Sequence, residues 1–168
     1  MRRNMGLDEP VAERYFIWLK SLLQGDFGVS ISNGTPVLDR ILNVMPNTLL
    51  LAFLSVTIAI AIAIPFGILA AVRRNSVFDR VVTTLSVAGF AVPTVWLGLM
   101  LIILFAVKFR EWGLPALPVG GVRDLRGDGG LSDRAEHLIL PVAALTIPQL
   151  AGWVVYIRSA MLEVIQQD

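Results

Sequence analysis

Charge is distributed along this chain in a way that allows only one broad class of fold. None of the 14 Lys+Arg or 13 Asp+Glu residues falls within positions 41–72, 81–107 or 138–157. These stretches run to roughly 32, 27 and 20 residues, and about 20 apolar residues are enough for a helix to cross a hydrocarbon core. A soluble domain intersperses charge along its length, whereas this chain of 55% hydrophobic residues and mean hydropathy +0.71 segregates it. The pattern predicts an all-α integral membrane protein with three transmembrane helices, at about 46–72, 81–107 and 138–160, preceded by short amphipathic helices. It excludes a soluble enzyme and a disordered tail. A net charge of +1 supplies no attraction for a polyanion, so nucleic acid is not an expected partner and membrane lipid is.

The first 45 residues read as two short helices around a loop. Asp8 is placed to cap the first and Pro10 suits its opening turn, where a missing N–H costs nothing. Val11, Tyr15, Trp18, Leu19 and Leu22 recur at helical spacing, and Gly25 supplies a stop. Such a helix either lies in the membrane interface or docks on other helices, with docking slightly favoured. The segment GDFGVSISNGTP reads as a loop, and residues 36–45 as a second short helix leading into the first span.

In the first span Ser55, Ala59, Ala63, Gly67 and Ala71 fall at every fourth position, lining one face with small side chains against which another backbone can come close. The alternation IAIAIAI has apolar residues in both phases and no repeating strand-length segments, so a barrel strand is excluded. Residues 73–80 are too few for anything but an antiparallel hairpin. Each span carries a proline: Pro65, then Pro93 beside Thr94, then Pro141 and Pro148. Pro93 is expected to kink its helix. Prolines are common in membrane helices, and bent helices also frame cavities that change shape; the two readings stand level. Gln149, mid-span, needs partners where bulk water is absent, either a neighbouring helix or a substrate. Lys and Arg counts on the two sides do not decide the orientation.

Chemistry-bearing motifs are few. Without cysteine, disulfides and thiolate centres are excluded. His137 beside Glu136 and Asp133 is better read as an interfacial histidine than as a metal site. Asp124, Asp128 and Gly129 have offsets resembling a calcium loop, but Arg126 and Ala135 occupy ligand positions, leaving a Gly-rich surface loop. Neither lysine permits a phosphate-binding loop, so no cofactor is expected and any ATP would be handled by another chain.

Five segments in order, GLDEPVAERYFIWLKSLLQGDFGVS, PVLDRILNVMPNTLLLAFLS, IPFGILAAVRR, AVPTVWLG and RSAMLEVIQQD, resemble the permeases of bacterial ABC importers, in the dipeptide, oligopeptide and nickel branch of the binding-protein-dependent inner-membrane components. The resemblance covers essentially the whole chain. It implies a multi-pass bacterial inner-membrane permease subunit that is not itself an enzyme. Its implied partners are a second homologous permease subunit, two cytoplasmic ATPases and a periplasmic or lipid-anchored solute-binding protein. It further implies that 1–45 is extracytoplasmic, that 46–168 is part of the transmembrane domain, and that the chain is a permease truncated at both ends, non-functional alone. A membrane subunit with a structural or assembly role is the alternative. The nature of the solute, whether peptide, nickel chelate or another, is not encoded in these residues.

Overall fold

The computed structural model describes residues 10–122 and 130–166. Among them every element is helical apart from one isolated bridge between Val29 and Pro36. In chain order these are α1 (Val11–Leu23), α2 (Val37–Val72), α3 (Val77–Ala91), α4 (Thr94–Ile102), a π-helical turn (Ile103–Lys108), α5 (Phe109–Glu111) and α6 (Leu131–Ile165). The chain forms two compact units, 1–48 and 49–168.

In the first unit Pro10 itself takes the N-cap position of α1; Asp8, expected there, lies outside the described residues. Gly25, at φ 84°, ends the helix in a left-handed conformation that a side chain would resist. None of the α1 residues is buried. The loop that follows closes on itself, with Ser30 N donating to Thr35 O at 2.9 Å and Gly34 N to Ser30 O at 2.8 Å. The short helix expected at 36–45 and the first span are one element, α2, helical through Pro46. Close to that proline, Thr48 donates its hydroxyl to Val44 O at 3.2 Å.

The second unit is built on close helix contacts. Ser55, Ala59, Ala63, Gly67, Ala70 and Ala71 are the buried residues of α2. Ala63 and Ala70 share a core with Val82 of α3 and Val154 of α6, flanked by Phe78, Leu150 and Ile157. The hairpin between α2 and α3 is tighter than the expected 73–80. Ser76 caps α3 by accepting Asp79 N at 3.1 Å, so the helix starts at Val77 and Arg80 lies on it. Asn75 adopts φ 63° to make the turn, a conformation asparagine tolerates better than most residues. Phe66 and Phe78 stack across the hairpin with ring centres 6.0 Å apart.

Among the described residues two helices are long and apolar enough to cross a membrane, α2 and α6; a third crossing exists there only if α3 and the helical run from Thr94 to Glu111 count as one span, bent by 97°. The expected kink at Pro93 is therefore a break. With Val92 extended at φ −78°, ψ 123° and no N–H on Pro93, the helix cannot propagate, and α4 restarts with Leu97 N bonded to Pro93 O at 3.0 Å. At 15 residues, α3 reaches only about 22 Å, short of the ~30 Å hydrocarbon core. The other prolines do not interrupt their elements: α2 is helical through Pro65, and α6 through Pro141 and Pro148. Helix extends past the expected limits in α6, from 131 rather than 138, and after α4 through the π-helical turn to Glu111. Leu117 N reaches Phe105 O within that turn at 3.0 Å and folds the following segment back.

Candidate functional site

The three long elements of the second unit meet along a seam with two polar features. The first joins α3 to α6. Asp79, 3% exposed, receives both Nε and Nη2 of Arg158, the latter at 2.9 Å from Oδ2. The same carboxylate accepts Asn75 N at 2.9 Å and the Thr83 hydroxyl at 3.3 Å. A fork-to-fork Arg–carboxylate pair is both strong and directional, and here it ties the α2–α3 turn to the last third of α6. The Ser76–Asp79 spacing is a capping-box signal, but nothing local announces a partner 79 positions away.

The second feature lies deeper in the seam. Ser55 on α2 gives its hydroxyl to Ala52 O at 3.1 Å, and its own carbonyl receives the Thr146 hydroxyl of α6 at 3.4 Å. Gln149 Nε2 donates to Leu145 O at 2.8 Å and to Ser55 Oγ at 3.4 Å. Such bonds hold membrane helices together at about 0.6–2 kcal/mol each.

Glycines of α2, α3 and α4 face side chains of α6 at three levels. A Cβ on Gly67 would stand 2.9 Å from Ile157 Cβ; one on Gly89, 3.3 Å from Ala151 Cβ; one on Gly98, 3.9 Å from Ala144 Cβ. Between α2, α3 and α6 a cavity of about 270 Å³ is lined by Ile62, Phe66, Leu85, Ser86 and Leu150 among others. A second, of about 290 Å³, lies by Gly98, His137 and Pro141. A third, open hollow of about 610 Å³ is formed by Phe90, Pro148, Gln149, Gly152, Trp153 and Tyr156.

Residues 63–168 match a family described as the binding-protein-dependent transport system inner membrane component. The chain belongs to this family. It is 43% identical to the oligopeptide transport system permease protein AppB of Bacillus subtilis (strain 168) over 97% of its own length and 50% of the relative's. It is 37% identical to the probable D,D-dipeptide transport system permease protein DdpB of Escherichia coli (strain K12), covering all of this chain and 54% of the relative. With the dipeptide transport system permease protein DppB of the same strain it shares 35% identity, over 98% and 53%. The chain thus spans about half the length of the curated relatives it matches. Membership and the apolar helices make it a multi-pass protein of the inner membrane.

Within this family member the residues singled out in sequence separate into two groups. Ser55, Ala59, Ala63, Gly67 and Ala71 are all buried, and Pro141, Pro148 and Gln149 are partly buried along cavities. Pro65, Pro93 and Thr94 are exposed and line none of these three cavities. His137 holds its Nδ1 2.8 Å from the Asp133 carbonyl, one turn back on α6, while Glu136 is exposed. Among the described residues no three His, Cys, Asp or Glu side chains are grouped to hold a metal. The loop positions Asp124, Asp128 and Gly129 lie outside the described residues.

Proposed function

We propose that this chain forms part of the translocation pathway of an ABC importer for short peptides, as a permease subunit that hydrolyses no ATP itself. The family match over residues 63–168 carries the reading, and relatives named for oligopeptide and dipeptide transport support the solute class. In this reading a second, similar permease completes the pathway, two cytoplasmic ATPases drive it, and a periplasmic or lipid-anchored binding protein delivers the solute. A helix bundle with two packings, each favoured by a different set of partners, is what such a cycle requires. In the organism that carries the gene, its deletion is expected to abolish uptake of a radiolabelled dipeptide or tripeptide, and complementation to restore it. Unchanged peptide uptake in the deletion strain would remove the reading.

The same proposal orients the chain, with 1–45 and 108–137 outside and the α2–α3 turn inside. Ser76 caps α3, so Arg74, exposed on that turn, is the better probe position. Single substitutions Ile31→Cys, Arg74→Cys and Ser132→Cys in a chain free of native cysteine are treated in intact cells with a membrane-impermeant maleimide. Labelling is expected at 31 and 132 and protection at 74. The reverse pattern would invert the topology.

A further inference from the structure

We propose that α1 lies along the lipid headgroup layer on the side of the membrane where α2 begins, with its aromatic stripe turned toward the acyl chains. The helix has 13 residues, about 20 Å of length, too short for a hydrocarbon core of ~30 Å. It can lie on a bilayer but cannot span one. Val11, Tyr15, Trp18, Leu19 and Leu22 share one side of it, and Phe16 and Leu23 widen that stripe. Glu13, Arg14, Lys20 and Ser21 occupy the other side, where Ile17 is the one apolar member.

Two observations favour lipid as the cover for this stripe. The first is that α1 buries none of its residues, and Val11, Tyr15 and Trp18 stand 80%, 54% and 56% exposed. The second concerns the polar tips of its aromatic side chains. The Tyr15 and Trp18 ring centres are 6.0 Å apart, and among the described residues neither the Tyr15 hydroxyl nor Trp18 Nε1 has a hydrogen-bond partner. A seat on apolar helices would cover the rings and leave both donors unpaired, which costs free energy. The headgroup layer takes the rings into the acyl boundary and offers ester and phosphate oxygens to the O–H and N–H. Arg14 and Lys20 have stems long enough to keep their charges at the water side.

The chain also holds α1 at the right level. Asp26 N donates to Ser21 O at 2.9 Å, folding the chain back on the last turn of α1, and Val37 N donates to Gly28 O at 3.0 Å, at the first residue of α2. Asp26 and Gly28 are two residues apart, at most about 7 Å of chain, and Gly28 N closes on Asp26 Oδ1 at 2.9 Å. Positions 41–72 carry no charge, so the apolar run of α2 starts only about 6 Å of helix beyond Val37. The end of α1 is thereby tied close to the membrane boundary, through contacts that all lie within the first unit.

The test uses the full chain, which has no native cysteine, in bilayers of phosphatidylethanolamine and phosphatidylglycerol. Spin labels are attached singly through Glu13→Cys, Tyr15→Cys, Trp18→Cys and Lys20→Cys. Labels at 15 and 18 are expected to collide more with dissolved oxygen than with a neutral water-soluble paramagnetic chelate, and labels at 13 and 20 to show the reverse. Low collision with both relaxants at 15 and 18 would place the stripe against protein and overturn the proposal; free access of the chelate at all four would leave α1 in water and overturn it equally. A second measurement keeps the native Trp18 side chain. With Trp96, Trp112 and Trp153 changed to Phe, the emission of Trp18 should be shifted to the blue and quenched by lipids brominated near the headgroup. Emission that such lipids leave unquenched would sink the proposal independently of the labels.

Discussion

Arg158→Ala is expected to lower the stability of the folded chain by about 3 kcal/mol, because it strands a buried carboxylate. Asp79 is 3% exposed and would keep only Asn75 N and the Thr83 hydroxyl as donors once the guanidinium is gone. Those two bonds are neutral and cannot offset the loss of solvation of a full charge. Arg158 itself retains some access, with 23% of its side chain exposed, which holds the expected cost at the lower end of the range for broken buried pairs. The double variant Asp79→Leu, Arg158→Met removes both charges and should be less damaging than either single change, since nothing ionic remains to desolvate. Unfolding of the purified chain in mixed micelles titrated with denaturing detergent measures the difference. A double variant as unstable as the sum of the two singles would mean that the pair is not coupled and that each residue acts alone.

That pair also shows where sequence reading reached its limit. The long apolar helices α2 and α6 were legible because desolvation of charge is a local constraint: a residue in the hydrocarbon core is apolar wherever its neighbours are. The small-residue stripe was legible for the same reason, since Ser55, Ala59, Ala63, Gly67 and Ala71 are brought to one face by the helical repeat alone. Asp79 and Arg158 are brought together by the packing of α3 on α6, and no local pattern encodes that meeting. Pro93 illustrates an intermediate case. The missing N–H guarantees a disturbance, but whether it becomes a kink or a 97° turn depends on the contacts α3 and α4 each find on α6. Pro141 and Pro148 carry the same chemistry and sit inside an uninterrupted helix, so the residue type could not have distinguished them. Gln149 finds its partners in Leu145 O and Ser55 Oγ, and the second of these bonds joins α6 to α2.

Gly67→Leu should disrupt packing of the second unit far more than Ile62→Leu. Gly67 faces α6 so closely that even a methyl group would stand 2.9 Å from both Cβ and Cγ2 of Ile157 and 3.2 Å from Val154 O. Ile157 is β-branched on a helix, with little rotameric freedom, and the backbone oxygen cannot move without dragging α6. Relief therefore has to come from separating the helices, which also pulls Ala63 and Ala70 away from Val154. The expected cost is about 1–3 kcal/mol or outright loss of the fold. Ile62 is 38% exposed and borders a cavity, so a volume-conserving change there should cost less than about 1.5 kcal/mol. Abundance of each variant in membranes, followed by protease resistance of the extracted chain, separates the two. Equal losses would mean that the close approach at Gly67 is not required for assembly. Partial rescue of Gly67→Ala by Ile157→Ala would identify the clash itself, rather than lost helix flexibility, as the cause, because the second substitution removes the Cγ2 that the first one meets and leaves only the contacts to the Cβ at 157 and to Val154 O.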